Sequence, residues 1–233
     1  MIFQAYFAIL FFAAQTPTFY LTVDDGPSKG SRQLYALVDS EQIKVNLFII
    51  GSHAVRTDSA GALFSKWRKD SLMLVCNHSY SHAGGHYRQY YLDPSSVVKD
   101  FDLNRDTLRM GNNIARMPGR NYWRLGKTRC GDIPSGMEAA DSLAAHGYRV
   151  FGWDMEWKCD SLSGGGIMTG REMLARAEKM LRNGQTLFIN NMVILLHDPE
   201  FADEGFCHEV RVFIRLARER GYRIAHLTEY PGD

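Results

Sequence analysis

Thr22-Val23-Asp24-Asp25-Gly26-Pro27 closes a short apolar run, Phe19-Tyr20-Leu21-Thr22-Val23. The run reads as a buried strand, stopped by Gly-Pro, that delivers two adjacent carboxylates at its C-terminal end. Neighbouring strand side chains point to opposite sides, so the two acids can hold different jobs: one on a metal, the other facing a substrate or a water. The bland alternative is an acidic turn capping the next helix, since Asp, Gly and Pro all form turns. What arrives at the ends of the other strands separates the two.

Working outward, a helical spacing over Gln33 to Asp39 is followed by a second strand, Lys44 to Ile50, stopped by Gly51. A helix over Ala60 to Lys69 precedes a third strand, Ser71 to Cys76, and a His-, Gly- and Tyr-rich loop from His78 to Tyr91. Asp93-Pro94 sets a cap and a first helical proline for a helix to about Met110. Asn113 to Met117 is a fourth strand, and a long loop runs from it through Pro134. Further strands are expected at Tyr148 to Trp153, Met192 to Leu196 and Tyr222 to Leu227, separated by helices at Ser135 to His146, Gly170 to Arg182 and within Ala202 to Arg220. Such strand–helix alternation implies parallel strands with helices outside. The expected fold is α/β, a distorted (β/α)7 TIM-like barrel, in one domain over residues 16–233. No GxGxxG follows the first strand, which argues against an open dinucleotide-binding sheet.

The bulk properties fit. The chain has 233 residues, 45% hydrophobic and 23% charged, and a formal net charge of +1. That charge, without a Lys/Arg-rich run, excludes a general nucleic-acid surface. The first 23 residues carry no charged side chain. Phe7 to Ala14 resembles the apolar core of a secretory signal, with Ala13-Ala14-Gln15 near a cleavage site, although a leading Lys or Arg is missing. Export is therefore expected, with residues 1–15 as signal or apolar segment; a buried N-terminal helix, or a start codon chosen in the wrong place, is the competing reading. No other segment is apolar enough to span a bilayer. Of the four cysteines, Cys76 ends an apolar run and reads as buried, while Cys130, Cys159 and Cys207 fall in expected loops. Cys130–Cys159 and Cys159–Cys207 are candidate pairs in an oxidising compartment, and the lack of a CxxC argues against a thiolate zinc site.

In a barrel of parallel strands the active site lies at the C-terminal strand ends, and the reactive residues do gather there. Asp24 and Asp25 follow the first strand, His78 and His82 the third, Arg116 and Gly119 close the fourth, Asp154 and Glu156 follow the fifth, and His197 the sixth. His78 and His82, four apart, reach one side of a helical turn. With one carboxylate they make a His₂Asp set of three protein ligands with a position left open, the pattern of a catalytic zinc site. A second carboxylate can take a proton from water and an imidazole opposite can protonate a leaving group. These five residues are the minimum kit for hydrolysing an amide or ester.

The ordered motifs resemble those of the polysaccharide deacetylases (NodB-homology domain, carbohydrate esterase family 4). Thr22 to Ser28 looks like the family's first motif and Lys44 to Gly51 its second strand. Asn77-His78-Ser79-Tyr80-Ser81-His82 matches the HSxxH metal motif, and Ile194-Leu195-Leu196-His197-Asp198 the final Leu-x-His. The resemblance spans about Phe19 to Leu227. It implies Asp24 as general base; Asp25, His78 and His82 on a divalent transition metal, zinc first, with cobalt or nickel as alternatives; and His197 as general acid. It further implies that Arg116 holds and tunes Asp24, that Leu195 lines the acetyl pocket, and that the Gly119 N–H assists the metal at the oxyanion. Two departures stand out. Arg116-Met117-Pro118-Gly119-Arg120 puts a bulky cation where a glycine is usual. Trp153-Asp154-Met155-Glu156-Trp157 is irregular, with Glu156 in the acid position expected to orient His197 and Asp154 or Asp160 as substitutes.

Trp157, with Tyr80, Tyr87, Tyr90, Tyr91, Tyr122 and Trp123, is a candidate sugar-stacking surface; His53 and His86 read as bystanders. The expected activity is metal-dependent removal of acetyl groups from N-acetylated sugars of a chitin- or peptidoglycan-like glycan, by a monomer. The rivals are an O-acetyl esterase on acetylated xylan, a hydrolase of small non-sugar amides, and a non-catalytic glycan-binding relative.

Overall fold

A computed structural model describes residues 16–158 and 168–232. The candidate signal, Cys159 and Asp160 lie outside the described residues. The strands are β1 (Thr18–Gly26), β2 (Val45–Ile49), β3 (Met73–Asn77), β4 (Ile114–Ala115), β5 (Tyr122–Leu125), β6 (Thr128–Gly131), β7 (Arg149–Val150), β8 (Met155–Glu156), β9 (Asn191–His197) and β10 (Arg223–Ile224). The helices are α1 (Ser31–Glu41), α2 (Gly51–Ala54), α3 (Asp58–Trp67), α4 (Tyr87–Tyr90), α5 (Pro94–Leu108), α6 (Met137–Ala145), α7 (Gly170–Arg182) and α8 (Glu204–Glu219). No helix among the described residues is long and apolar enough to cross a membrane.

All seven expected strands form. The sheet runs β4-β3-β2-β1-β9-β8 with parallel pairing throughout, and β10 is parallel to β1 at Thr18 and Phe19. One extended segment joins its two edges. Phe151 N–H donates to Ala115 O of β4, while Asp154 N–H and Trp157 N–H donate to Val193 O and Leu195 O of β9. The expected barrel thus closes through residues 149–157. The expected long loop before Pro134 instead holds the antiparallel hairpin β5–β6, hung on β7 through Arg124. Gly126 takes the left-handed turn position, φ 51°, that such a hairpin needs. Cys207, expected in a loop, is buried in α8, and Cys76 is buried as expected.

Strand alternation explains how the site is built. Outward-facing Phe19, Leu21, Val23, Val45, Leu47, Ile49, Ile194 and Leu196 join a core that includes Leu34, Leu37, Phe213 and Ile214 of α1 and α8. Inward-facing Tyr20, Phe48, Cys76, Ile114, Phe151 and Val193 fill the barrel. Continuing each inward row by two or four residues gives Asp24 from Tyr20, His78 from Cys76, Arg116 from Ile114, and Leu195 and His197 from Val193. The candidate site is therefore the top of the barrel's own interior stack, where apolar layers give way to charge.

Candidate active site

A cleft of about 250 Å³ opens at this end, lined by Asp24, Asp25, His78, His82, Tyr87, Gly119, Asp132, Trp153, Glu156, Lys158, Leu195 and His197. Alternation alone would send Asp25 outward. The β1–β2 register slips between Asp24 and Gly26, and Asp25 sits at φ 72°. Such an irregularity re-aims a side chain. Both acids therefore reach one cleft, against the expectation of opposite sides.

Asp25 Oδ1 lies 3.4 Å from His78 Nε2 and 3.1 Å from His82 Nε2. The three ligand atoms lie within 4.8 Å of one another, a group able to hold a metal ion. His78 Nδ1 is 2.9 Å from Arg116 O. An N–H donated there fixes the ring so that Nε2, once it gives up its proton, can offer its lone pair to a metal ion beside Asp25. Two imidazole nitrogens and one carboxylate oxygen suit zinc or a similar borderline ion, so the donor chemistry fits the expected metal. Burial pushes the Asp25 carboxyl up, but hydrogen bonds and charge from His78 and His82 outweigh it and hold the carboxyl well below its ordinary value. Burial depresses His78, yet Asp24 and Asp25 together raise it above the ordinary imidazole value.

Asp24 is fixed from the other side. Arg116, fully buried, donates from Nη1 to Asp24 Oδ1 at 2.9 Å and to Thr22 Oγ1 at 2.7 Å. Its Nε and Nη2 donate to Phe151 O and Gly152 O, and its guanidinium lies 4.2 Å over the Phe48 ring. Asp24 Oδ2 is left 3.6 Å from His78 Nε2. On the neighbouring strand β9 stand Leu195 and His197, with Asp24 and His197 directly paired across β1 and β9.

Glu156 is at the cleft but not where the sequence put it. Its Oε1 lies 3.9 Å from His197 Nε2 and 3.0 Å from Lys158 Nζ. The carboxylate on the Nδ1 side is Glu200, 4.0 Å away, which also accepts the His197 backbone N–H. Asp154 is turned from the imidazole and accepts the N–H groups of Leu187 and Val193. Trp157 is a correction. Beside the cleft-facing Glu156 it points the other way, 1% exposed against Phe206 and Phe213, its Nε1 donating to Met168 O. Trp153 takes its place in the cleft wall. Of the tyrosines among the described residues only Tyr87 lines the cleft, edge-on to His82; Tyr91 and Tyr122 are buried. Arg120 is held away from the cleft by Ser135 O, Ser135 Oγ and Gly119 O.

Sequence reasoning missed His53, Asp132, Lys158 and Glu200. His53 Nδ1 lies 3.1 Å from Asp25 O, a support beneath a candidate metal ligand. Its signal was present, since it follows the second strand as His78 follows the third.

The polysaccharide deacetylase family model matches residues 13–123. A chitin disaccharide deacetylase from Vibrio alginolyticus is 23% identical over 91% of this chain and 71% of its own length. Two solved structures share the fold. A carbohydrate esterase (family 4) from Streptococcus mutans superposes with a TM-score of 0.67 at 21% identity, over 91% of this chain and 86% of that one. The catalytic domain of a peptidoglycan N-acetylglucosamine deacetylase from Eubacterium rectale gives 0.68 at 21% identity, over 94% and 92%. With the ordered motifs standing at the strand ends of this barrel, the chain is similar to the polysaccharide deacetylases, in sequence over residues 13–123 and in fold over nearly its whole length.

Proposed function

We propose that the protein is a metal-dependent hydrolase that removes acetyl groups from N-acetylated sugars of a chitin- or peptidoglycan-like glycan, releasing acetate. The observation that carries the reading is the convergence of the Asp25, His78 and His82 ligand atoms within 4.8 Å beside an Asp24 pinned by Arg116. Asp25, His78 and His82 would hold a divalent ion, zinc first and cobalt or nickel as alternatives. When bound, it would polarise the acetyl carbonyl and bring the pKa of a water toward neutrality. Asp24 accepts the proton of the attacking water at Oδ2, because Oδ1 is taken by Arg116. His197, on the adjoining strand β9, gives a proton to the departing nitrogen. The Gly119 N–H, on the cleft rim, donates to the carbonyl oxygen as negative charge develops there. Leu195, 2% exposed at the cleft floor, receives the acetyl methyl.

The cleft does not stand alone. It shares Asp132 with a depression of about 490 Å³ beside the β5–β6 hairpin. It shares Tyr87 with another of about 400 Å³ beside α4. Depressions adjoining the cleft at these two residues favour an oligomer or polymer as substrate. The apolar run Phe7 to Ala14 supports an exported location, where such glycans lie.

The test is acetate release from N-acetylglucosamine oligomers with zinc analysis of the same samples. Asp24→Asn retains the metal and loses acetate release by about 10²-fold or more, and His78→Ala loses the metal. An acetylated xylan arm separates amide from ester preference. Full turnover by metal-free protein, or binding without turnover on every arm, overturns the reading.

A further inference from the structure

The cleft opens where the strands end. The opposite face of the barrel is where they begin, about 20 Å away along β1. The flanking helices run against the parallel strands, so α7 and α8 both end on this face. There Arg220 pairs with Glu178 at 2.6 Å, and Lys44 and Arg223 close on Glu229 at 2.8 and 2.6 Å. Other cations on the face have no acid. Among the described residues, Lys179 and Arg182 at the end of α7 are exposed with no ion pair or side-chain hydrogen bond, and Arg218 of α8 gives Nη2 to the neutral Gln42 O. Arg68 and Lys69 after α3, and Arg109 after α5, likewise form no ion pair. Asp39, Asp70 and Glu219 are the acids there without a cation, so the face is net positive, while the cleft end gathers Asp24, Asp25, Asp132 and Glu156.

Helix C-termini favour cations in their own right, and a single exposed apolar side chain is ordinary. On this face the two coincide with a third feature. Ile189, 78% exposed, stands at the tip of the turn between α7 and β9. The turn is fixed: Asn191 N–H donates to Phe188 O, Asn191 Nδ2 donates to Ile189 O, and Asn190 takes φ 61°. Phe188 packs edge-on to Tyr230 and Leu187 N–H donates to Asp154, so the turn is anchored from inside and Ile189 is held out. Thr18 N–H donates to Asn190 O and Arg223 N–H donates to Pro17 O, so the chain enters the fold beside Ile189. The uncharged apolar run Phe7 to Ala14 leads into that spot.

We propose that this face docks on a phospholipid bilayer with anionic headgroups. The unpaired cations meet the headgroups, Ile189 enters the interfacial layer, and the apolar run before Thr16 enters beside it. Each Lys or Arg close to such a surface strengthens binding about fivefold, and the attraction dies away within a Debye length. Docking this way turns the cleft away from the bilayer, open to whatever lies outside it. The inference goes beyond the deacetylase reading and stands without it.

The experiment is co-sedimentation of the full chain with two kinds of vesicle, phosphatidylcholine alone and phosphatidylcholine mixed with phosphatidylglycerol. The expected partition is about 100-fold higher onto the anionic vesicles at low salt, and most of that preference is lost at about 0.5 M salt. Lys179→Gln with Arg182→Gln, at exposed side chains without partners, cuts anionic binding about 20-fold and leaves neutral binding alone. Ile189→Ser cuts binding to both kinds of vesicle about fivefold and keeps their ratio. Acetate release from soluble oligomers is unchanged in both variants. Equal binding of wild type to neutral and anionic vesicles overturns the charged surface and leaves the apolar run as the only contact. Variants that bind like wild type overturn this face as the docking surface, as does no binding to either vesicle. Soluble polyphosphate that displaces the chain from vesicles, and binds Ile189→Ser as tightly as wild type while vesicles do not distinguish the two, overturns the bilayer in favour of a polyanion.

Discussion

Arg116 and Asp24 form a buried ion pair, 2.9 Å apart with side chains 0% and 5% exposed, and a double-mutant cycle tests how much rests on it. In Arg116→Gln, Asp24 loses its cation and keeps only His78 Nε2 at 3.6 Å. Thr22 Oγ1, Phe151 O and Gly152 O lose donors as well. Leaving a buried charge uncompensated costs about 3–5 kcal/mol, a large share of the ~5–15 kcal/mol that holds a typical domain together. Asp24→Asn is milder. Arg116 retains three oxygen acceptors and the Phe48 face, so the loss is that of one charged hydrogen bond, about 1.5–3 kcal/mol. In the double variant neither charge is stranded, and the costs are less than additive by about 2 kcal/mol. Urea unfolding at one fixed zinc concentration measures each corner, with m unchanged across the set. Acetate release gives the second readout. If Arg116 acts through Asp24, Arg116→Gln has no further effect on rate in the Asp24→Asn background. Additivity within about 0.5 kcal/mol, together with multiplicative losses of rate, refutes the coupling and makes Arg116 a packing residue.

Three further outcomes follow from the same geometry. His53→Phe keeps a ring but removes the contact to Asp25 O, and zinc affinity falls about tenfold in a competition titration with a chromophoric chelator; unchanged affinity removes His53 from the site. Asp154 is pushed by burial from 3.8 to about 6, against the pull of the Val193 and Leu187 N–H groups. Between those values the folded chain binds more protons than the unfolded one, so this group's contribution falls as pH rises from about 4 to about 6, by about 3 kcal/mol, and is flat above. Denaturant unfolding of wild type and Asp154→Asn across that window should show the difference between them changing with pH; a constant difference refutes the assignment. Gly30→Ala places a Cβ 1.9 Å from Asp198 O. With backbone as the obstacle it destabilises by about 2 kcal/mol or more and moves the end of β9 that carries His197; a variant as stable as wild type refutes this.

The site was legible in the sequence wherever strand periodicity carried it. Tyr20-Thr22-Asp24, Leu74-Cys76-His78, Ile114-Arg116 and Val193-Leu195-His197 are each one inward-facing row, so finding the strand and its stop found the residue. Legibility failed where the backbone left that period. Asp25 turns on a register slip and a positive φ, neither of which two consecutive acids reveal. Trp157 was misplaced because its strand pairs with β9, and pairing sets the phase. Glu156 rather than Trp157 faces Leu195's side of the sheet. Glu200 escaped because it reaches His197 across a 3₁₀ turn, Asp198–Ala202, rather than along a strand. The β5–β6 hairpin escaped because its register depends on two irregular residues at Gly126 and Lys127.

The stored strain has a physical consequence for the metal motif. Asp25, Ser79 and His82, all at or beside the candidate ligands, are non-glycine residues with φ of 72°, 64° and 51°, conformations that cost about 1–3 kcal/mol each and persist only where the surroundings over-determine them. Here the surroundings are the ends of β2 and the inner face of α5. Asn104, fully buried, donates to Asn77 Oδ1 and Ile49 O, and the same Asn77 Oδ1 accepts the Ser79 N–H. Asp100 accepts from Ser81 N and Oγ and from the Tyr90 hydroxyl. From the other side, Gly51 N–H and Ser52 N–H donate to Ser79 O and Tyr80 O. Gly51 must lack a side chain, because a Cβ would lie 2.3 Å from Asn104 Oδ1. The loop from His78 to His82 is thus clamped between a strand end and a helix. His78 and His82 hold their shared orientation toward Asp25 through this framework of protein hydrogen bonds. A metal that binds there has little left to order, which is the condition for a tight and catalytically fixed site. Asn104 and Asp100, on the helix that follows the His78–His82 loop, are therefore part of the construction of the candidate metal site along with the two histidines.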